Sequence, residues 1–235
     1  MAYNYIKSKK DVLEELTQKT KISNVQSPTV ADLTFENGKR TWISACFVDI
    51  RDSSKLFKGN SETGDEKIAR LMRAFSGEII KIMRDKHYIH IGLQGDCVYG
   101  VFSTPNQNGI NVIFSMASLI NSFIIMLNKL LKQNNFETIK VGIGLSCGED
   151  LIIKAGADNT GISDVLFIGN AVADAKNNSS KANKTTNHAI VVSSIFYNNL
   201  NDHNKNLMEN ISHSLYGGNV INSAMDEWIN EGMKT

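Results

Sequence analysis

Apolar residues recur along this chain with two different periods, and the switches between them mark the elements. Positions 41–50 form a nearly continuous β-prone run (Trp42, Ile43, Ala45, Cys46, Phe47, Val48, Ile50), which predicts a strand covered on both faces. Over Glu62–Arg84 the period lengthens. Ile68, Leu71, Met72, Phe75, Ile79, Ile82 and Met83 then share one helical face. Positions 88–93 and 97–102 are two short β-prone runs around Gly95-Asp96, a hairpin signal. Positions 109–132 return to helical spacing but are apolar on most sides. The strongest stretch, 112–127, is short for a membrane span of about 20 residues and carries Asn121 and three serines, so it predicts a core helix.

The second half is read in shorter pieces. Positions 138–146 alternate as a strand that ends at Cys147-Gly148, and 151–155 predict a short strand after a turn. Strands follow at 165–168 and 190–193, with a polar helix over 170–183 and a short helix over 194–200. Ahead of this body lies a short amphipathic helix at 9–19 (Val12, Leu13 and Leu16 on one face), with turns at Ser27-Pro28 and Asn37-Gly38. Near 198–210, asparagine-rich text predicts loops or a mobile connection before a C-terminal tail. The order β-α-β-β-α-β with additions defines an α+β, ferredoxin-like split βαβ fold. One domain over 41–200 follows from it, with an N-terminal extension at 1–40 and a C-terminal tail at 201–235.

Composition narrows the function. The chain has 235 residues, 42% of them hydrophobic, enough for one full core. A net charge of +1 gives no electrostatic case for nucleic acid or a membrane surface as partner. Cys46, Cys97 and Cys147 each sit in an apolar run and read as reduced core cysteines, which points to the cytoplasm. Met1 to Tyr5 carries no apolar stretch of the kind a signal peptide needs. The five histidines lack metal-ligand spacing.

Two aspartates carry the chemistry. Asp49 closes the first buried run, and Asp96 sits in the hairpin turn. If those strands are neighbours in one sheet, the carboxylates converge at one edge. Carboxylates that close repel unless a divalent cation lies between them, which is the arrangement of metal-dependent phosphoryl chemistry.

The residues around them resemble the class III nucleotidyl cyclase catalytic domain from about Thr41 to Ser194. The landmarks are Phe47-Val48-Asp49-Ile50-x-x-Ser53-Ser54, then Gly95-Asp96, then Val141-Gly142-Ile143-Gly144-Leu145-Ser146-Cys147-Gly148, and last Phe167-Ile168-Gly169-Asn170-Ala171-Val172-x-x-Ala175. The resemblance implies that Asp49 and Asp96 bind two Mn²⁺ or Mg²⁺ ions, with Ile50 lending its backbone carbonyl. It implies that Phe47 lines the nucleotide pocket and that the loop at 51–55, with Arg51, Ser53 and Ser54, meets the triphosphate. The implied reaction is attack of the ribose 3′-oxygen on the α-phosphorus, expelling diphosphate. Family members take metal on one subunit and helix groups from the other, so a homodimer is implied.

The chain departs from the adenylate and guanylate cyclases at their specificity positions. The side chains that read a purine edge map to Gly92 and Leu166, and neither can hydrogen-bond. A slightly shifted register would give His90, Leu93 or Asp164 that place. The transition-state asparagine and arginine map to Ala173 and Asn177, with Lys176, Lys181 and Asn178 nearby. The lead-in Pro28-Thr29-Val30-Ala31-Asp32-Leu33-Thr34-Phe35-Glu36-Asn37-Gly38 and the absent purine readers are more similar to the Pycsar pyrimidine cyclases. These are bacterial enzymes of anti-phage defence whose cyclic nucleotide activates a separate effector protein. The implied substrate is UTP, with CTP as the alternative. A purine cyclase, or a fold that binds nucleotide without turnover, remains open on the sequence.

Overall fold

The buried run at 41–50 is part of a longer central strand. A computed structural model describes residues 3–56, 62–157 and 160–234; Met1, Ala2 and Thr235, the ends of the terminal segments read above, lie outside them. The elements run α1 (Tyr5–Thr17), β1 (Lys21–Asn24), β2 (Asn37–Ile50), α2 (Ser53–Leu56), α3 (Glu62–Arg84), β3 (Tyr88–Gln94), β4 (Cys97–Ser103), α4 (Gln107–Gln133), β5 (Val141–Ala157) and β6 (Ile162–Ile168). They continue with α5 (Asn170–Lys181), β7 (Ile190–Ser193), α6 (Ser194–Asn198), α7 (Asp202–Lys205), β8 (Glu209–Ser212), β9 (Leu215–Gly218) and α8 (Ser223–Asn230). One sheet has the order β3-β4-β2-β5-β7-β9-β8, with β1 beside the start of β2 and β6 beside the far half of β5. Its centre, β3-β4-β2-β5, is the ferredoxin-like arrangement expected from the βαββαβ order.

Alternation along β2 divides the sheet into two faces. Cys46, Val48 and Ile50 point to one face, where they pack with Phe75, Ile79 and Met83 of α3 and with Ile113, Phe114, Ala117 and Ile120 of α4. Ala45 and Phe47 point to the other, where they meet Cys97 of β4 and Ala175 of α5. Among the described residues only α4 is long and apolar enough to cross a membrane, and 67% of its apolar window is buried inside the fold. Its polar residues have a structural use. Asn121 donates to the Val220 carbonyl at 3.0 Å, and Ser122 accepts from the Asn222 amide at 2.8 Å.

Those two bonds correct the reading of the tail. Residues beyond 200 form a strand pair in which β9 joins β7, followed by a helix docked on α4. A second correction concerns β5. Positions 147–150 do not turn: β5 is one strand, because its partner β2 pairs with it from Gly38↔Ile153 to Ile50↔Val141. The same pairing places Asn37 and Gly38 inside β2, not in a turn. Strand β1, which has no alternating signal, is held parallel to the start of β2.

All three cysteines are free and buried, and burial raises each thiol, Cys97 and Cys147 to about 12. They are protonated core side chains.

Candidate active site

The face of the sheet that carries Phe47 also carries Asp49, at the edge where β2 ends. Register pairs Asp49 with Cys97 on one side and Gly142 on the other. Gln94 pairs with Cys97, so Gly95 and Asp96 form a two-residue loop with positive φ (62°) at Gly95 only, as in a type II′ turn. The turn therefore sets Asp96 one residue from Asp49's cross-strand neighbour. The two carboxylates are close enough to repel. Asp49's pKa is raised by burial first; the Arg51 charge opposes this, the Asp96 charge adds to it, and the Arg51 hydrogen bond and Lys184 oppose it.

A cation already sits on this carboxylate. The Arg51 guanidinium, 7% exposed, ion-pairs with Asp49 and donates to the carbonyls of Asp49 and Ser180 at 3.1 Å each. Arg51 thus meets Asp49 through its side chain. Its amide is taken by the Lys140 carbonyl at 2.7 Å, so any main-chain contact of this loop with a phosphate falls to residues after it. Asp52 turns the chain in the left-handed region (φ 56°), and Ser53 and Ser54 open α2. Ile50 buries its side chain in the opposite core, so only its main chain can serve the edge. Lys176 reaches across to Gln94 (3.0 Å), and its charge is felt at Cys97. Sequence reasoning missed Lys184, which lies in a polar stretch with no periodic signal.

The donor set suits a hard divalent ion. Among the described residues no three His, Cys, Asp or Glu side chains converge, but two carboxylates and a main-chain carbonyl at one strand edge supply oxygen ligands of the kind that Mg²⁺ and Mn²⁺ take alongside substrate phosphates.

Beside this edge lies an aromatic cluster. Phe47 and Tyr99 are cross-strand partners with parallel rings, 5.1 Å apart and 11° from coplanar. Tyr99 is hydrogen-bonded to His90 Nε2 (3.2 Å), and His90 stands 5.9 Å from the Phe167 ring. Gly92 lies under Tyr99, opposite it in the β3–β4 ladder. Leu166 is not brought to this cluster. It pairs with Ile153 and is 47% exposed, while its neighbours Val165 and Phe167 pack beside Tyr99. The position expected to read the base thus faces away, and the flanking residues line the site.

Helix α5 is seated over the same face by Gly142 and Gly144. A Cβ at Gly144 would lie 2.1 Å from the Ala175 carbonyl, so only glycine lets the helix backbone rest on the strand. Its N-terminus is fixed by Asp150. This buried carboxylate accepts from the amides of Ala171 (3.2 Å) and Val172 (3.5 Å), because Gly169 offers no side-chain cap. This acidic residue inside β5 therefore points inward to hold a helix. Asp150→Ala leaves those donors bare. The expected cost is about 2 kcal/mol, seen as a drop of about 4–8 °C in the thermal midpoint.

Asn177 does not meet Asp49 within the chain. With Asn170, Asp174 and Lys181 it lines a separate open cleft of about 560 Å³ between α5 and α6.

No protein-family model matches the chain. Known structures show where the fold belongs. A class III adenylyl cyclase-like ATP-binding protein from Pseudomonas aeruginosa aligns over 95% of this chain and 48% of its own, with TM-score 0.74 at 16% identity. An adenylyl cyclase from the same organism aligns over 79% and 96%, with TM-score 0.62 at 19% identity. The fold is that of the class III nucleotide cyclases. Sequence relatives are closer. A uridylate cyclase of Treponema porcinum is 41% identical over 99% of this chain and 83% of its own length, and one of Gulbenkiania mobilis is 30% identical over 87% and 86%. The chain belongs to the uridylate cyclase family.

Proposed function

We propose that this chain is a metal-dependent cyclase that converts UTP to 3′,5′-cyclic UMP and diphosphate. The observation that carries the reading is the pairing of Asp49 and Asp96 at one sheet edge beside an aromatic pocket. Membership of the uridylate cyclase family and the absence of a side chain at Gly92 support it. Asp49, Asp96 and the Ile50 carbonyl would hold two Mn²⁺ or Mg²⁺ ions. Bound there, the ions would lower the pKa of the ribose 3′-hydroxyl and offset charge on the departing diphosphate.

The chain's own groups do the rest. The aromatic pair Phe47 and Tyr99 holds the base flat. Arg51, Lys176 and Lys184 bring positive charge to the triphosphate, with Ser53 and Ser54 at the loop that follows Asp49. With ions held by Asp49, the Arg51 guanidinium would be released from that carboxylate to pair with phosphate. Asn177, turned from Asp49 on its own chain, acts in a partner's site. That reading favours a homodimer, and exposed Ile162, Leu166 and Ile168 on β6 supply apolar surface for it. A solved guanylyl cyclase domain from Blastocladiella emersonii is described as dimeric. The product would serve as a messenger in the cytoplasm, acting on a separate effector in anti-phage defence.

A second reading is a nucleotide binder without turnover. It is favoured by asparagine where the family has arginine and by the likeness to an ATP-binding protein. One assay separates the two. Purified protein is incubated with UTP, CTP, ATP and GTP in turn with Mn²⁺, and products are resolved by mass spectrometry. Cyclic UMP with equimolar diphosphate, a preference for UTP of at least about tenfold and loss of turnover in EDTA are expected. Nucleotide binding without diphosphate release, or a preference for a purine, would refute the proposal.

A further inference from the structure

We propose that Tyr99, held over Gly92 and hydrogen-bonded to His90, is the residue that reads the 4-position of the pyrimidine. This deepens the reading of the site as a uridylate cyclase and rests on it. The argument begins with space. A Cβ built at Gly92 would fall 2.5 Å from Tyr99 Cζ and 2.6 Å from its hydroxyl oxygen. A side chain at 92 and the observed Tyr99 ring therefore exclude each other. The position from which a side chain at 92 would reach a base is filled from the neighbouring strand, by a residue paired directly opposite.

The phenol is also fixed in place. Its ring is stacked on Phe47, and its hydroxyl is tied to His90 Nε2 at 3.2 Å. The His90 ring is in turn braced by Phe167. A group held by two aromatic neighbours, one of them braced by a third ring, loses little freedom on meeting a ligand. Burial first, then the charge of Asp164, raises the phenol's pKa, so it is neutral at physiological pH and keeps its proton. Asp49 lies two positions beyond Phe47 on the same face of β2, about 7 Å of strand, a span that a ribose and its α-phosphate bridge.

The chemistry then selects the base. In the tautomer that carries its proton on Nε2, His90 donates to the phenol oxygen and the phenol O–H points outward as a donor. Uracil offers a carbonyl at C4, whereas cytosine offers an amino group, a donor facing a donor. A purine meets the ring that replaces a longer side chain at 92. Leu166 cannot take this role, because its side chain leaves on the other face.

Tyr99→Phe removes the hydroxyl and keeps the ring. Steady-state kinetics with UTP and CTP, and Mn²⁺ present, should show kcat/KM for UTP reduced about 10- to 100-fold with CTP little changed. The UTP:CTP ratio should fall at least about tenfold, mostly through KM. His90→Phe, which frees the phenol, should lower the same ratio in a chain with an unaltered thermal midpoint. An unchanged ratio in both variants, with the wild type active on UTP, would overturn this inference and leave the cyclase reading standing. A wild-type chain that cyclises no pyrimidine triphosphate would overturn both. Loss of turnover with all triphosphates at unchanged UTP affinity would place Tyr99 in the chemical step and overturn base reading.

Discussion

Asp49→Asn lowers cyclic UMP formation by at least about a thousandfold while the protein stays folded. The amide keeps the size of the carboxylate and can still accept from Arg51, whose other bonds go to main-chain carbonyls. What is lost is the negative charge, and at this edge no neighbour can supply it. Asp96 is the other carboxylate at the edge, and Cys97, the flanking thiol, is held protonated with a pKa raised to about 12. Asp96→Asn should act alike. A double variant should be scarcely worse than either single one, because residues that build one ion site act as a unit. The check is the rate of cyclic UMP release at saturating UTP and Mn²⁺, alongside a circular dichroism melt. A variant that retains a tenth of the activity would contradict the assignment.

Gly144→Val is the largest expected structural effect. The added atoms would overlap the Ala175 carbonyl and the Ser179 amide, both at 2.1 Å from the first new carbon. Helix backbone cannot yield as a flexible side chain can. Helix α5 must lift from the sheet, taking with it Lys176 and the cover over Ala45 and Phe47. Overpacking of this kind costs about 3 kcal/mol or more, which for a chain of this size lowers the thermal midpoint by about 6–12 °C. Cyclase activity should fall with it. Gly148→Ala is the control. Its Cβ would meet the Ala171 methyl at 3.8 Å, an ordinary contact, and the midpoint should shift by less than about 2 °C.

The contrast between those two glycines shows what a sequence does and does not disclose. Helix α3 is legible in the sequence, because Phe75, Ile79 and Met83 repeat at helical spacing over a polar face. The hairpin is legible because Gly95-Asp96 interrupts two β-prone runs. Asp49 and Asp96 were identifiable as a pair because local signals place each at the end of a strand. The fold then joins those strands through β4.

What escaped the sequence depends on partners far away along the chain. Asp150 has the polarity of a turn residue, and only the arrival of α5 explains a carboxylate inside a strand. Leu166 falls at a base-reading position by its place in the motif, but the pleat of β6 decides its face. Strands β8 and β9 are four residues each and lack alternating apolar text, so their pairing with β7 has no local signature. Tyr99 reads as a routine strand aromatic until the missing side chain at Gly92 is seen beneath it.

The central claim is that the carboxylates at 49 and 96 bind divalent ions with the triphosphate. Electron paramagnetic resonance of Mn²⁺ titrated into the protein with 3′-deoxy-UTP, which binds but cannot cyclise, tests it without relying on turnover. Two Mn²⁺ per site in the wild type, and loss of this binding in Asp49→Asn and in Asp96→Asn, are the predicted results. Equal Mn²⁺ uptake by the wild type and the double variant would contradict the account.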